Sequence, residues 1–436
     1  MRWLIYNVLF FIAYLVLLPH FLIRMRRRGG YRAHFRQRFG RYEPDVMERL
    51  RERQRVWVHA VSVGESLAAG ALLDAMRARD PEMRFVLSTT SSTGYRTCQA
   101  LVREGDVLIY FPIDFPWAVR RALEAVRPSA LVLMESEIWP NMLRQCRRRG
   151  VPVILANGRV SDRSFPRYRM GRIIFGPCLR SMRRILVQYE LDRARLVAIG
   201  ANPDSVVVTG TVKFDVHPPK AEVRDRVAGE LRGYGFGDGA PVLLGASTWP
   251  GEEDALLDAF SALSQRHPEW RLVIVPRHQE RGAEVAETIA AHGFPCIRKS
   301  QTAAGSQSFP ENAVLLADTT GELLAFHSLA DVVFVGKSLP PNDGGQNMIE
   351  PAALGKAVVV GPATSNFAGV MEIFRASKSI VEIADAEALR PALEPLFADA
   401  ALRRSLGEAA ARTVEANRGA LDRTASGLMD CLRPHP

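Results

Sequence analysis

Three carboxylates and one lysine stand where proton transfer and charge compensation could be staged. Glu65 lies in HAVSVGES, residues 59–66, directly after an apolar run and where a strand would turn into a helix. A carboxylate beside an apolar wall can take a proton from a hydroxyl as general base. The same residue type in a first helical turn also complements the helix dipole, so both uses stay open. Glu135 and Glu137, in LVLMESEIWPN, end a second apolar run two residues apart. An extended chain would turn both to one side. No Asp-x-Asp pair occurs in the chain, so electrostatic support suits these carboxylates better than holding a metal. Lys213, in TGTVKFD, supplies a cation that could neutralise charge in a cleft.

A second group of residues suits a nucleotide. Residues 331–362 read DVVFVGKSLPPNDGGQNMIEPAALGKAVVVGP: an apolar run, a loop rich in Gly, Pro and Asn, a short helical pattern and another apolar run. Strand, loop, helix, strand is a βαβ unit, with the loop at the carboxyl edge of a parallel sheet. Gly344 and Gly345 let backbone approach a ligand, and the helix start attracts anions. Within Asn347, Met348, Ile349 and Glu350, the last is placed to accept from ribose hydroxyls. Pro276, Arg277 and His278 end another apolar run, and an arginine fork there can hold a phosphate. Gly321, Glu322 and Leu323 open a helix whose backbone could meet a base. Ser247 and Thr248, at a strand-to-helix turn, can cap a helix or bond a phosphate. Together these features predict a nucleotide-sugar site.

The elements that must position these residues alternate. From residue 56, β-branched runs (VWVHAVSV, RFVLSTT, DVLIYFP, ALVLME, PVILAN, RILVQ, VVVTG) are separated by helical stretches, with one helix expected over about 67–79. Residues 211–221, with Pro218 and Pro219, read as a linker, after which PVLLGAS, RLVIVP, AVLLAD, VVFVG, AVVVG and SIVEI resume the pattern. Residues 301–312 read as a polar loop. The expected organisation is an anchor at 1–28, a Rossmann-like acceptor-binding domain at 29–210, the linker, and a Rossmann-like nucleotide-sugar domain at 222–436. Two such α/β halves facing a cleft are the pattern of a GT-B glycosyltransferase, although fold alone does not fix chemistry.

Charge and hydropathy add a partner. The 436 residues carry a net charge of +10, concentrated in two places. Residues 1–55 hold thirteen Arg against four acids, and residues 144–184 hold twelve Arg against Asp162 alone. No nucleic-acid module accompanies them, whereas basic charge beside a hydrophobic terminus suits anionic lipid. Residues 3–23 are interrupted only by Asn7, Pro19 and His20, and Arg24, Arg26, Arg27 and Arg28 follow. The length can span a bilayer, and the flanking charges predict an uncleaved anchor with the body on the cytoplasmic side. A helix lying in the interface is the alternative. Residues 31–55, with Phe35, Phe39 and Tyr42, suit lying along headgroups. The five cysteines have neither CxxC pairing nor zinc spacing and read as thiols of a reducing compartment.

In order along the chain, SVGE, MESEIWPN, TGxxKFD, PRH, TGEL and GGxNxxEPA resemble the bacterial 3-deoxy-D-manno-octulosonic acid (Kdo) transferases, over essentially the whole length. That resemblance implies inverting, metal- and cofactor-independent transfer of Kdo from CMP-Kdo to the phosphorylated glycolipid precursor of lipid A, at the inner membrane. Glu65 then matches the base, and Glu135 and Lys213 match residues that support the transition state. Pro276, Arg277, Gly321, Glu322, Leu323, Asn347, Met348, Ile349 and Glu350 match CMP-binding positions. The family usually has His where this chain has Gln346 and Trp249. A donor bearing a modified octulosonic acid is therefore an alternative. A sugar-nucleotide 2-epimerase and a non-catalytic sugar-nucleotide sensor are further ones.

Overall fold

The computed structural model describes residues 1–28, 34–216, 218–237, 239–306 and 308–432. It divides into two compact units, one of residues 1–215 with 418–436 and one of residues 216–417.

In the first unit, strands β1 (Val56–His59), β2 (Phe85–Thr89), β3 (Val107–Tyr110), β4 (Ala130–Met134), β5 (Val153–Gly158), β6 (Arg184–Val187) and β7 (Val206–Val208) form one sheet. Its order is β3-β2-β1-β4-β5-β6-β7, with parallel pairing throughout. Helices cover both faces, so the strands are buried runs rather than alternating ones. Trp57 is fully buried and its indole N–H donates to Ser88 Oγ at 2.8 Å. His59 stacks on Phe111, and burial lowers its pKa to about 3, leaving a neutral ring in the core. The order reverses between β1 and β4, which makes the carboxyl ends of those two strands the crevice where ligands sit. The loops carrying Glu65 and Glu135 leave from those ends.

The second unit repeats the scheme with β8 (Val242–Thr248), β9 (Arg271–Pro276), β10 (Cys296–Arg298), β11 (Val314–Leu316), β12 (Val332–Val335), β13 (Ala357–Val360) and β14 (Val381–Glu382). Its order is β10-β11-β9-β8-β12-β13-β14, again parallel, with the reversal between β8 and β12. The expected runs all contain strands. Strand β10 was not anticipated, because a three-residue strand, CIR, carries too short a pattern to read.

Three expectations are corrected. The last helix, Ala420–Leu432, does not belong to the second domain. Ala425, Leu428 and Cys431 enter the core of the first unit. Asp215 accepts from the Gly419 and Leu421 N–H groups at 2.7 Å each, fixing the start of that helix where the chain returns. The helix after β1 starts at Val63 rather than near 67, because Ser62 caps it. The segment expected along headgroups is packed onto the first unit instead. Gln37 and Arg38 are buried, Phe39 stacks on Trp117, and the Arg38 guanidinium lies 4.1 Å from the Tyr110 ring centre. Residues 31–33 of that segment, the side chains of Arg24 and Arg26–Arg28, and residues 433–436 lie outside the described residues.

Candidate active site

The first unit assembles a charged cluster at its switch point. Ser62, in extended backbone geometry, caps the helix Val63–Arg79 by accepting from the Glu65 N–H at 3.2 Å. Glu65 reaches back, accepting from the Val61 N–H at 2.9 Å and from the Ser62 hydroxyl at 3.0 Å. This reciprocal cap is what S-x-x-E encodes. Both chemical readings of Glu65 therefore meet in one half-buried side chain, a carboxylate held in a fixed rotamer by two donors with lone pairs to spare.

Glu135 follows β4 with φ 55°, a left-handed conformation in a non-glycine residue. Such geometry costs on the order of 1–3 kcal/mol and gathers at functional sites. It also breaks the extended geometry that was expected to align Glu135 with Glu137. The Glu135 carboxylate lies 3.9 Å from Arg159 Nε, and burial raises its pKa against the pull of Arg159 and Lys213. Lys213, in the turn Val212–Phe214, is held low by burial and raised by Glu135. Burial and the charges of Glu65 and Glu135 push Glu137 up to about 7, while the Trp139 indole N–H, 2.7 Å away, pulls it down. Glu65, Glu135, Glu137, Arg159 and Lys213 are thus one electrostatic unit. Arg159 was read only as part of a basic patch. Its signal was an arginine one residue beyond a buried strand.

In the second unit the expected donor residues lie at the carboxyl ends of β9, β11 and β12. Pro276 ends β9 buried, and Arg277 is exposed with its N–H donating to Thr248 O at 3.1 Å. Gly321 has φ 84° and precedes the helix Leu323–Leu329. The Glu322 carboxylate is committed to Thr319, Arg226 and Lys299, so this turn offers a ligand its backbone rather than that carboxylate. Asn347 accepts from the Ile349 N–H and donates to Glu350 at 2.9 Å, which orients both. Met348 and Ile349 are fully buried, leaving their backbone to the site. Burial raises the Glu350 pKa, with Asn347 opposing. His327 is 3.7 Å from Glu350, beyond hydrogen-bond reach, and burial keeps the ring neutral with a pKa of about 3, so the two form no ion pair.

One organiser had not been singled out. Glu252 is fully buried and accepts four backbone N–H groups, from Trp249, Lys337, Ser338 and Leu339, at 2.8–3.0 Å. It ties the loop after β8 to the loop after β12 across the switch point. Gly336 makes that approach possible, since a Cβ there would sit 2.4 Å from Ser247 O. Ser247 and Thr248 do not cap the next helix. The cap is Gly251, and Ser247 takes φ 55° at a register shift instead. The Lys337 ammonium lies 4.9 Å from the Trp249 ring centre, His278 meets the same ring edge-on, and no acid pairs with Lys337 among the described residues. Lys337 also has φ 57°. Among the described residues no group of three or more His, Cys, Asp or Glu could hold a metal ion.

Two parallel, doubly wound units with polar clusters at both switch points define a GT-B fold. A crystal structure of Anabaena HepE in complex with UDP shares it, with a TM-score of 0.60 at 11% identity over 87% of this chain and 99% of the other. The family described as 3-deoxy-D-manno-octulosonic-acid transferase (kdotransferase) matches residues 33–216. The 3-deoxy-D-manno-octulosonic acid transferase of Bordetella pertussis is 36% identical over 94% of both chains. That of Haemophilus influenzae is 31% identical over 88% of this chain and 87% of its own. The chain belongs to the Kdo transferase family and is a glycosyltransferase.

Proposed function

We propose that the protein transfers Kdo from CMP-Kdo to the phosphorylated disaccharide precursor of lipid A, with inversion and without a metal. Glu65 takes the proton from an acceptor hydroxyl. The freed oxygen bonds to the anomeric carbon of Kdo as the bond to the CMP phosphate breaks, and CMP leaves with that electron pair. Asn347 and Glu350 receive the ribose, the backbone of 321–323 meets the base, and Arg277 holds the phosphate. Lys337, above Trp249 and without an acid partner among the described residues, faces the donor's acidic groups where relatives usually carry imidazoles nearby. Glu135, Arg159 and Lys213 keep the charge beside Glu65 compensated as the proton moves.

The convergence of Glu65, Glu135 and Lys213 at the first switch point supports this most, because three residues far apart in sequence meet in one electrostatic unit. We place the protein at the membrane's cytoplasmic face, a reading supported by the acceptor's nature and by the N-terminal helix, of which residues Arg2–Ile23 are long and apolar enough to cross a membrane. The test is mass spectrometry of a tetra-acylated disaccharide precursor incubated with CMP-Kdo. A mass increase of one or more Kdo units is expected. Glu65→Gln should lower transfer at least about a hundredfold, the scale of general-base catalysis, with CMP binding by calorimetry unchanged. Near-normal transfer by that variant removes Glu65 from the mechanism.

A further inference from the structure

The N-terminal helix Arg2–Arg28 rests one half-buried face on the first unit from Trp3 to Tyr14, with one further contact at Phe21, and no residue of its apolar span is fully buried. Trp3 lies under the Arg144 guanidinium at 4.9 Å. The Tyr6 hydroxyl donates to Asp114 Oδ2 at 2.8 Å, and Asn7 Oδ1 accepts from Asn141 Nδ2 at 2.7 Å. Phe10 and Tyr14 both meet the Phe115 ring edge-on, at 5.4 and 5.2 Å, and the Arg38 guanidinium lies 5.9 Å from the centre of the Phe21 ring. Positions 3, 6, 7, 10, 14 and 21 fall on one helical face. From 3 to 21 the helix rises about 27 Å, close to the hydrocarbon thickness of a bilayer.

A helix docked over that length cannot also cross the membrane, because its partners would enter the hydrocarbon with it. Asp114, Arg38 and Arg144 are among those partners, and ionisable groups at bilayer depth are costly. Of the residues that interrupt the apolar run, Asn7 is not a lipid-facing defect: with Tyr6 it makes the polar contacts of docking. The opposite face stays apolar and open, with Leu9 59%, Ile12 52% and Val16 72% exposed. The neighbouring helix Arg172–Arg180 touches the N-terminal one and adds the exposed Ile173, and Met170 protrudes just before it. Arg169 and Arg172 flank those two side chains, which suits anionic headgroups at the rim of an apolar face.

We infer that this helix lies in the membrane plane, with its docked face on the first unit and its Leu- and Val-rich face in one leaflet, so that the protein is monotopic. The inference rests on the proposed membrane association and replaces its spanning anchor. It is tested on the full chain bearing one epitope at each terminus, by protease treatment of spheroplasts and of inverted inner-membrane vesicles. Both epitopes should be protected in spheroplasts and both lost in inverted vesicles. Asn7→Cys combined with Asn141→Cys should cross-link within the chain in membranes when a short thiol cross-linker is added. An N-terminal epitope cleaved in spheroplasts while the C-terminal one survives would overturn the in-plane helix and leave membrane association standing. Absence of the cross-link overturns the docking. A chain that stays out of the membrane and dimerises through this face overturns both ideas, with a second copy as the occupant. Should the cysteine pair disturb folding, Leu9→Glu with Val16→Glu probes the exposed face alone. It should lower binding to anionic vesicles at least tenfold without changing Tm, and unchanged binding refutes the lipid-facing assignment.

Discussion

Glu137 and Lys213 show how burial sets the chemistry around Glu65. Glu137 titrates near 7 when folded and at about 4.3 when unfolded. The folded state therefore holds that proton more tightly, and stability falls as pH rises from about 4.3 to 7, with the loss persisting above. Glu137→Gln keeps an oxygen for the Trp139 N–H and removes the titration. It should raise stability at pH 8 by about 1 kcal/mol, roughly 2–4 °C in Tm, with no gain at pH 4. Melting curves at the two pH values decide it; equal shifts would mean Glu137 is already solvated. Lys213 works in the other direction. Its charge lowers the pKa of Glu135, so Lys213→Ala should let that pKa rise further. If ionised Glu135 is needed for transfer, the acid limb of the pH–rate profile moves to higher pH. A profile that stays in place would show that the Lys213 charge does not set the Glu135 titration.

Glu252 belongs to the scale of elements, since it joins two loops rather than touching a reacting atom. Burial raises its pKa and four N–H donors pull it down. Glu252→Gln replaces one acceptor oxygen with an amide that faces backbone N–H groups, leaving two donors unmet. That should cost about 2–4 kcal/mol and weaken CMP binding with little change in the rate at saturating donor. Calorimetric Kd and denaturant midpoints measure both effects. Unaltered CMP affinity would separate the Glu252 tie from the donor site. Such a tie was invisible in sequence because the four N–H groups lie at 249 and 337–339. The strands, by contrast, were legible: buried parallel strands need uninterrupted apolar runs, and RLVIVP or AVVV supply them. Helix starts were read less well where the cap was Gly251 rather than the Ser and Thr beside it. The return of Ala420–Leu432 to the first unit hinges on Asp215, whose role no local pattern announces. Of the candidate site, the carboxylates were found from their place after strands, whereas Arg159 and Lys337 gained meaning only from neighbours brought there by folding.

Across the whole molecule, the basic segment 144–184 turns out to serve several purposes. Arg159 faces Glu135, and Arg180 and Arg184 bond the carbonyls of Gly200 and Asp204. Arg163, Arg167, Arg169 and Arg172 remain on and beside the short helices from Phe165 onward, near the exposed Met170 and Ile173. Those four, grouped beside an exposed apolar pair, suit an anionic surface or a phosphorylated glycolipid better than the exposed Arg147, Arg148 and Arg183 elsewhere in the segment. Attraction of that kind is screened over about 8 Å at physiological salt and about 3 Å at 1 M. Raising NaCl from 0.05 to 0.5 M should increase KM for glycolipid presented in vesicles by about tenfold and leave kcat within about twofold. Arg167→Glu with Arg169→Glu should reproduce the high-salt KM at low salt and flatten the remaining salt dependence. Because neither arginine touches the Glu65 cluster, a fall in kcat in that variant would locate the acceptor's phosphates elsewhere. A salt dependence equal to that of the unaltered chain would do the same.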